Sequence, residues 1–174
     1  FSVLDICPQL FTLDYRLYPS AKGAFLWPPV WLSNEVLSLE ECNKFIESFY
    51  QKSKDWDFVI GSAFPGFHDI YEEAGIGKSY ARIDSKGGET FKYTFQKAIE
   101  NHTDIIQIVT WNDFGEGTNI EPTREYGYKY LEIIQELRKK YIDPNFTFVD
   151  SDLSLCKDLY DRRIKYKDKK DIML

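Results

Sequence analysis

The period of hydrophobic and polar positions changes several times along the chain, and each change marks an element. Gly23 to Trp27 (GAFLW) is small and apolar, and Pro28-Pro29 removes two ladder donors, so the run reads as a strand that stops there. From Ser38 the spacing becomes helical. Leu39, Cys42, Phe45, Ile46 and Phe49 share one face, and Glu41 follows Ser38 at the distance of a capping box. Trp56 to Ile60 (WDFVI) predicts the next strand, and the small residues and Pro65-Gly66 pair after it predict a tight loop presenting His68 and Asp69. Ile70 to Gly88 holds no sustained period and reads as a long loop, a class that is commonly functional or mobile. Helical spacing returns over Glu89 to Asn101, through Phe91, Phe95, Ala98 and Ile99. Five of the seven residues from Ile105 to Trp111 are apolar, which predicts a short buried strand ended by Trp111. A helix from about Glu125 then places Tyr126, Tyr130, Ile133, Ile134, Leu137 and Tyr141 on one face and ends in Arg138, Lys139 and Lys140, which suit the negative end of its dipole. A turn at Asp143-Pro144-Asn145 and a charged helix near Leu153 to Tyr166 complete the pattern. The first twenty residues, opening with Val3-Leu4-Asp5-Ile6, read as strand or loop.

Strands alternating with helices build a parallel sheet covered by helices, and sites in such sheets lie at the carboxyl ends of the strands. The loops after Trp27, Ile60 and Trp111 all leave from that edge, which points to one shared site. The chain reads as one domain over 1–174, with 151–174 a charged helix or tail.

Composition adds limits to this picture. At 174 residues, 43% hydrophobic and 17% aromatic, the chain has the material for a real core, and some of the rings are available to stack on sugar faces. Trp27, at the end of its strand, serves either purpose. A net charge of −6 leaves no basic excess for phosphates, so a general nucleic-acid binder is excluded. The run Arg162, Arg163, Lys165, Lys167, Lys169, Lys170 is interrupted by acids and reads as a solvated face or tail. No stretch approaches the ~20 apolar residues of a membrane span. The opening Phe1-Ser2-Val3-Leu4 lacks an initiator Met, the mark of a chain cut from something longer. Cys7, Cys42 and Cys156 lack metal-ligand spacing and read as small buried hydrophobes.

The chemistry concentrates after Trp111. Asn112, Asp113, Glu116 and Glu121 crowd one strand end, spaced by Gly115 and Gly117. Acids so close repel one another and are costly to desolvate, so folding alone gives little reason to gather them. Acid/base chemistry does need such a pair, one carboxyl to donate a proton and one carboxylate to act as base or nucleophile. Asp113 and Glu116 are the expected pair. Trp111, Asn112 and Glu121 are candidate substrate contacts or supports of the loop, with core packing the other role open to Trp111; Asp69 and His68 reach the same edge. No cofactor and no metal are expected: His68 and His102 stand apart, and the acids lack the alternating oxygen ligands of an EF-hand loop.

The run Trp111-Asn112-Asp113-Phe114-Gly115-Glu116-Gly117-Thr118-Asn119-Ile120-Glu121-Pro122 resembles glycoside hydrolase families 71 and 99, the α-1,3-glucanases and the endo-α-mannosidases. Its first half is similar to the former and its second half to the latter. Pro65-Gly66-Phe67-His68-Asp69 is similar to a Pro-Gly-Phe-x-Asp segment one βα unit earlier in these proteins, and the resemblance spans roughly Gly23 to Tyr141. It implies an α/β fold, a partial (β/α)8 (TIM) barrel of three to four βα units with parallel strands, since a whole barrel takes ~250 residues. It further implies an oligosaccharide or polysaccharide substrate, a secreted or periplasmic setting, and either a missing amino-terminal half of the barrel or self-association. By the family 99 pattern Glu116 is the general acid/base, and Asp113 stands where that family has a Glu that deprotonates the sugar 2-hydroxyl. By the family 71 pattern, which has Asp there, the two are acid and base of an inverting displacement.

Overall fold

The computed structural model describes residues 6–7 and 22–166. Of the sequence expectations, the remainder of the first twenty residues, the side chain of Cys7 and the end of the basic run at Lys167, Lys169 and Lys170 lie outside them. The strands are β1 (Ile6–Cys7), β2 (Gly23–Phe25), β3 (Val36–Leu37), β4 (Phe58–Ala63), β5 (Arg82–Ile83) and β6 (Ile105–Ile108), and the helices are α1 (Leu39–Lys52), α2 (Glu89–Glu100), α3 (Lys129–Leu137) and α4 (Leu155–Lys165). Strands β1, β2, β4 and β6 form one sheet in that order, every pair parallel. Helix α1 lies in sequence between β2 and β4, and α2 between β4 and β6, as the alternation requires. The chain divides into two compact units, residues 1–121 and 122–174.

Within the first unit, α1 begins where the capping box places it. The Ser38 hydroxyl accepts from the Glu41 amide at 3.2 Å, and the Glu41 carboxylate accepts from the Ser38 amide at 2.9 Å. Those bonds from Ser38 hold the Glu41 carboxyl below its ordinary range. The helix buries Cys42, Ile46, Phe49 and Tyr50, which join Ala24, Leu26, Phe64 and Ala98 in the core. Helix α2 approaches β4 so closely that a side chain at Gly61 would stand 2.7 Å from the Ala98 Cβ and 2.8 Å from the Thr103 hydroxyl. The Thr94 hydroxyl of α2 also accepts from the Phe64 amide at 3.1 Å, a polar tie between helix and sheet inside the core.

Several expectations are corrected. The strand predicted over Trp56 to Ile60 runs from Phe58 to Ala63, and Trp56 precedes it as a core residue. The strand at Ile105 is paired but not buried: Ile105 is 50% and Ile108 37% exposed, because among the described residues β6 pairs only with β4 and ends the sheet. Part of the stretch predicted as loop is ordered, since β5 pairs with β3 in a second, two-stranded parallel sheet. Strands of two residues carry no period to read. Cys42 is buried, but Cys156 is exposed on α4.

In the second unit, α3 starts at Lys129, later than predicted from Glu125. Thr123 diverts the chain, accepting from the Tyr126 amide through its hydroxyl at 3.0 Å and from the Gly127 amide through its carbonyl at 2.9 Å. The basic residues Arg138, Lys139 and Lys140 fall in a π-helical turn, Arg138–Ile142, that continues α3.

Candidate functional site

The acidic loop leaves β6 through Val109, whose amide donates to the Ala63 carbonyl at 2.9 Å and so carries the ladder to the carboxyl ends of both strands. The loop then closes on itself. Thr110 donates to the Thr118 carbonyl at 2.9 Å and accepts from the Ile120 amide at 3.1 Å, and the two threonine hydroxyls meet at 2.9 Å. Inside that neck the Asp113 amide donates to the Thr110 hydroxyl at 3.0 Å. The Glu116 amide donates to Oδ1 of Asp113 at 3.0 Å, so one candidate carboxylate caps the turn that carries the other. Gly117 ends the turn at φ +62°, and a Cβ there would lie 3.0 Å from the His68 carbonyl oxygen. The dihedral favours glycine, and the space leaves little room for a side chain.

That close neighbour belongs to the loop after β4, the strand beside β6. The His68 amide donates to the Glu116 carbonyl at 2.8 Å and the Ile70 amide to the Gly115 carbonyl at 3.1 Å, which fastens the two loops together. Asp69, 4% exposed, gives its two oxygens to different amides, Oδ1 to Tyr71 at 3.2 Å and Oδ2 to Tyr80 at 2.8 Å. Its carboxylate therefore ties together both ends of the intervening segment. At one of those ends the Tyr71 hydroxyl donates to Oε1 of Glu116 at 2.7 Å. That bond, reinforced by partial desolvation and by the charges of Glu116, Asp113 and Asp69, pushes the Tyr71 hydroxyl up to about 12, so it stays a donor at every physiological pH. The Tyr80 ring meets Tyr71 and Phe67 edge-on at 6.3 and 6.4 Å.

The structure thus gathers Asp113, Glu116, Asp69 and the His68 backbone at the joined ends of β4 and β6. Trp111 is 51% exposed, and its carbonyl accepts from the Glu121 amide at 2.8 Å; Asn112 is exposed and Glu121 half-buried. The His68 side chain is exposed, in contrast to Asp69. Trp27 is half-buried, with contacts to Phe25 and the core. Sequence reasoning missed Tyr71, which sits in the stretch without a period and meets Glu116 only through the fold, 45 positions away. It also missed Phe114, 56% exposed within the acidic loop. Among the described residues no group of three or more His, Cys, Asp or Glu is placed to hold a metal ion. The arrangement sets Asp113 and Glu116 on one turn, with the Glu116 carboxylate held by a phenol.

Comparison with known proteins adds to this geometry. A sequence profile described as Glycosyltransferase WbsX matches residues 36–134, which contain both loops. No curated protein matches the chain. Among solved structures, the family 99 endo-alpha-mannosidase from Bacteroides thetaiotaomicron is similar at 19% identity and a TM-score of 0.54, over 77% of this chain and 44% of that one. Its complex with bis-tris-propane gives 20% identity and a TM-score of 0.55, over 78% and 46%. The chain spans less than half the length of either. The fold is accordingly a partial (β/α)8 barrel like that of the family 99 enzyme, while the family 71 likeness rests on the sequence motif alone.

Proposed function

The chain belongs to the Glycosyltransferase WbsX family, and from the paired loops and the likeness of its fold to the endo-alpha-mannosidase we propose that it carries the acid/base centre of a glycoside hydrolase acting on α-linked glycans. The observation that carries this reading is the hydrogen-bonded chain from Tyr71 to Glu116 to Asp113 at the carboxyl edge of a parallel sheet. Glu116, with Oε1 taken by Tyr71, keeps Oε2 to protonate the leaving glycosidic oxygen. Asp113, with Oδ1 taken by the Glu116 amide, keeps Oδ2 to take a proton from water or from a neighbouring sugar hydroxyl. Trp111 and Phe114 supply exposed ring area beside the pair, suited to the apolar faces of sugars.

The family's description as a glycosyltransferase favours a second outcome for the same centre, transfer of the sugar to an acceptor hydroxyl instead of water. A donor bearing a diphosphate suits it poorly, because neither Phe64 to Asp69 nor Val109 to Pro122 contains a Lys or Arg to meet the phosphates. A glycoside donor fits both outcomes. The oligosaccharide partner follows from this reading. So does the structural one: β6 lacks a second neighbour among the described residues, so the remaining barrel strands or another copy of the chain are its expected partners.

The experiment is product analysis of the full-length protein with α-mannan and α-glucan oligosaccharides, alongside calorimetric titration of the same glycans. Release of reducing ends supports hydrolysis, and longer oligosaccharides without new reducing ends support transfer. Binding with neither product defeats the catalytic reading in favour of a glycan-binding half-barrel.

A further inference from the structure

Glu116 presents two oxygens, and among the described residues only one of them has a protein partner. Its backbone is fixed on both sides, by its amide on Asp113 and its carbonyl on the His68 amide, but neither bond orients the carboxyl group at the end of a flexible side chain. The Tyr71 hydroxyl does, at 2.7 Å from Oε1. Tyr71 in turn has little freedom. Its amide is held by buried Asp69, whose other oxygen holds Tyr80, and the two tyrosine rings meet edge-on at 6.3 Å. The path from Asp69 through Tyr71 to Glu116 joins the loop after β4 to the loop after β6.

We propose that Tyr71 is a positioning residue of the proton-donating carboxyl: held by Asp69, it fixes Oε1 of Glu116 so that the proton on Oε2 points at the leaving oxygen. This rests on the assignment of Glu116 as general acid. In the step it serves, the bond from the anomeric carbon to the glycosidic oxygen breaks, the electron pair stays on that oxygen, and the Glu116 proton completes the departing hydroxyl. Glu116 leaves the step as a carboxylate, and Asp113 takes the proton of the water or hydroxyl that attacks, so the pair carries one negative charge before and after. A carboxyl free to rotate spends part of its time with the proton aimed elsewhere, and misaimed acids lose rate in the chemical step more than in binding.

Leaving-group dependence separates this role from general support of the fold. In full-length protein, Tyr71→Phe is expected to lower kcat about 10- to 100-fold for a substrate with a sugar leaving group, with KM nearly unchanged. A dinitrophenyl glycoside of the same sugar departs without protonation, and its turnover is expected to fall less than about 3-fold. Equal losses on both substrates overturn the proposal. Failure of the underlying assignment looks different, since Glu116→Gln would then leave sugar departure intact. Thermal melting gives a second readout that does not depend on turnover. Tyr71→Phe is expected to lower Tm in the parent and to change it far less in a Glu116→Ala background, because the partner is already gone. The same drop in both backgrounds overturns the contact.

Discussion

Three residues decide the shape of the site: Asp69, Gly117 and Tyr71. Gly117 permits the acidic loop to press against the His68 backbone at a positive φ. Gly117→Ala is expected to cost about 1–2 kcal/mol for the dihedral alone, plus the displacement of His68, which lies 3.0 Å from the added carbon. Calorimetry checks the stability loss, and turnover is expected to fall with it because the Glu116 carbonyl is bonded to the same His68 amide. Tyr71 carries the pH prediction. Its hydroxyl is raised to about 12 by the bond to Glu116, against about 10 for a free phenol, so the folded state favours the protonated form. The stabilisation from that bond is full below about pH 10 and is lost as pH rises toward 12. Ultraviolet titration of the parent minus Tyr71→Phe should show a tyrosinate step near the upper value; a step near 10 would contradict a persistent bond to Glu116. The closeness of Asp113 and Glu116 at one strand end was legible in the sequence, because acids so near one another stand out against the cost of gathering them. Tyr71 could not, because nothing local marks it and its meaning comes from a contact between distant loops.

Elements with a strong local signal read well, and those defined by neighbours did not. Helix α1 announces itself through Ser38 and Glu41 and through five apolar residues at one spacing, all of which the structure keeps. Ser38→Ala is expected to cost about 1 kcal/mol in denaturant unfolding, since the Glu41 amide loses its acceptor and the Glu41 carboxylate its hydroxyl donor. Strand β6 was legible as a strand but not in its burial. Its apolar residues predict a covered position, yet Ile105 and Ile108 face outward because coverage depends on what stands beside the strand, not on its own composition. The β3–β5 pair was invisible for the opposite reason: two residues each, joined across more than forty positions, hold no period at all. Helix α3 started late because Thr123 offers the chain a tighter local turn than the apolar face of Tyr126 alone can overcome.

At the scale of the molecule, the chain is a stretch of parallel barrel whose candidate functional edge is assembled from adjacent strands. The candidate carboxylates sit on one loop and their supports on the other, so neither loop is a site by itself. The exposed apolar residues of β6, together with its unpaired ladder among the described residues, predict association. Sedimentation of the 174-residue chain alone is expected to show concentration-dependent species larger than a monomer; a monomer with cooperative unfolding at every concentration would contradict this. The claim at the centre is that Asp113 and Glu116 do the chemistry. The most direct test is turnover of α-linked oligosaccharides by full-length protein carrying Glu116→Gln or Asp113→Asn, each an exchange that keeps shape and removes charge. Each is expected to cut kcat by about 10²- to 10⁴-fold with folding intact. Turnover undiminished in both variants would contradict the assignment.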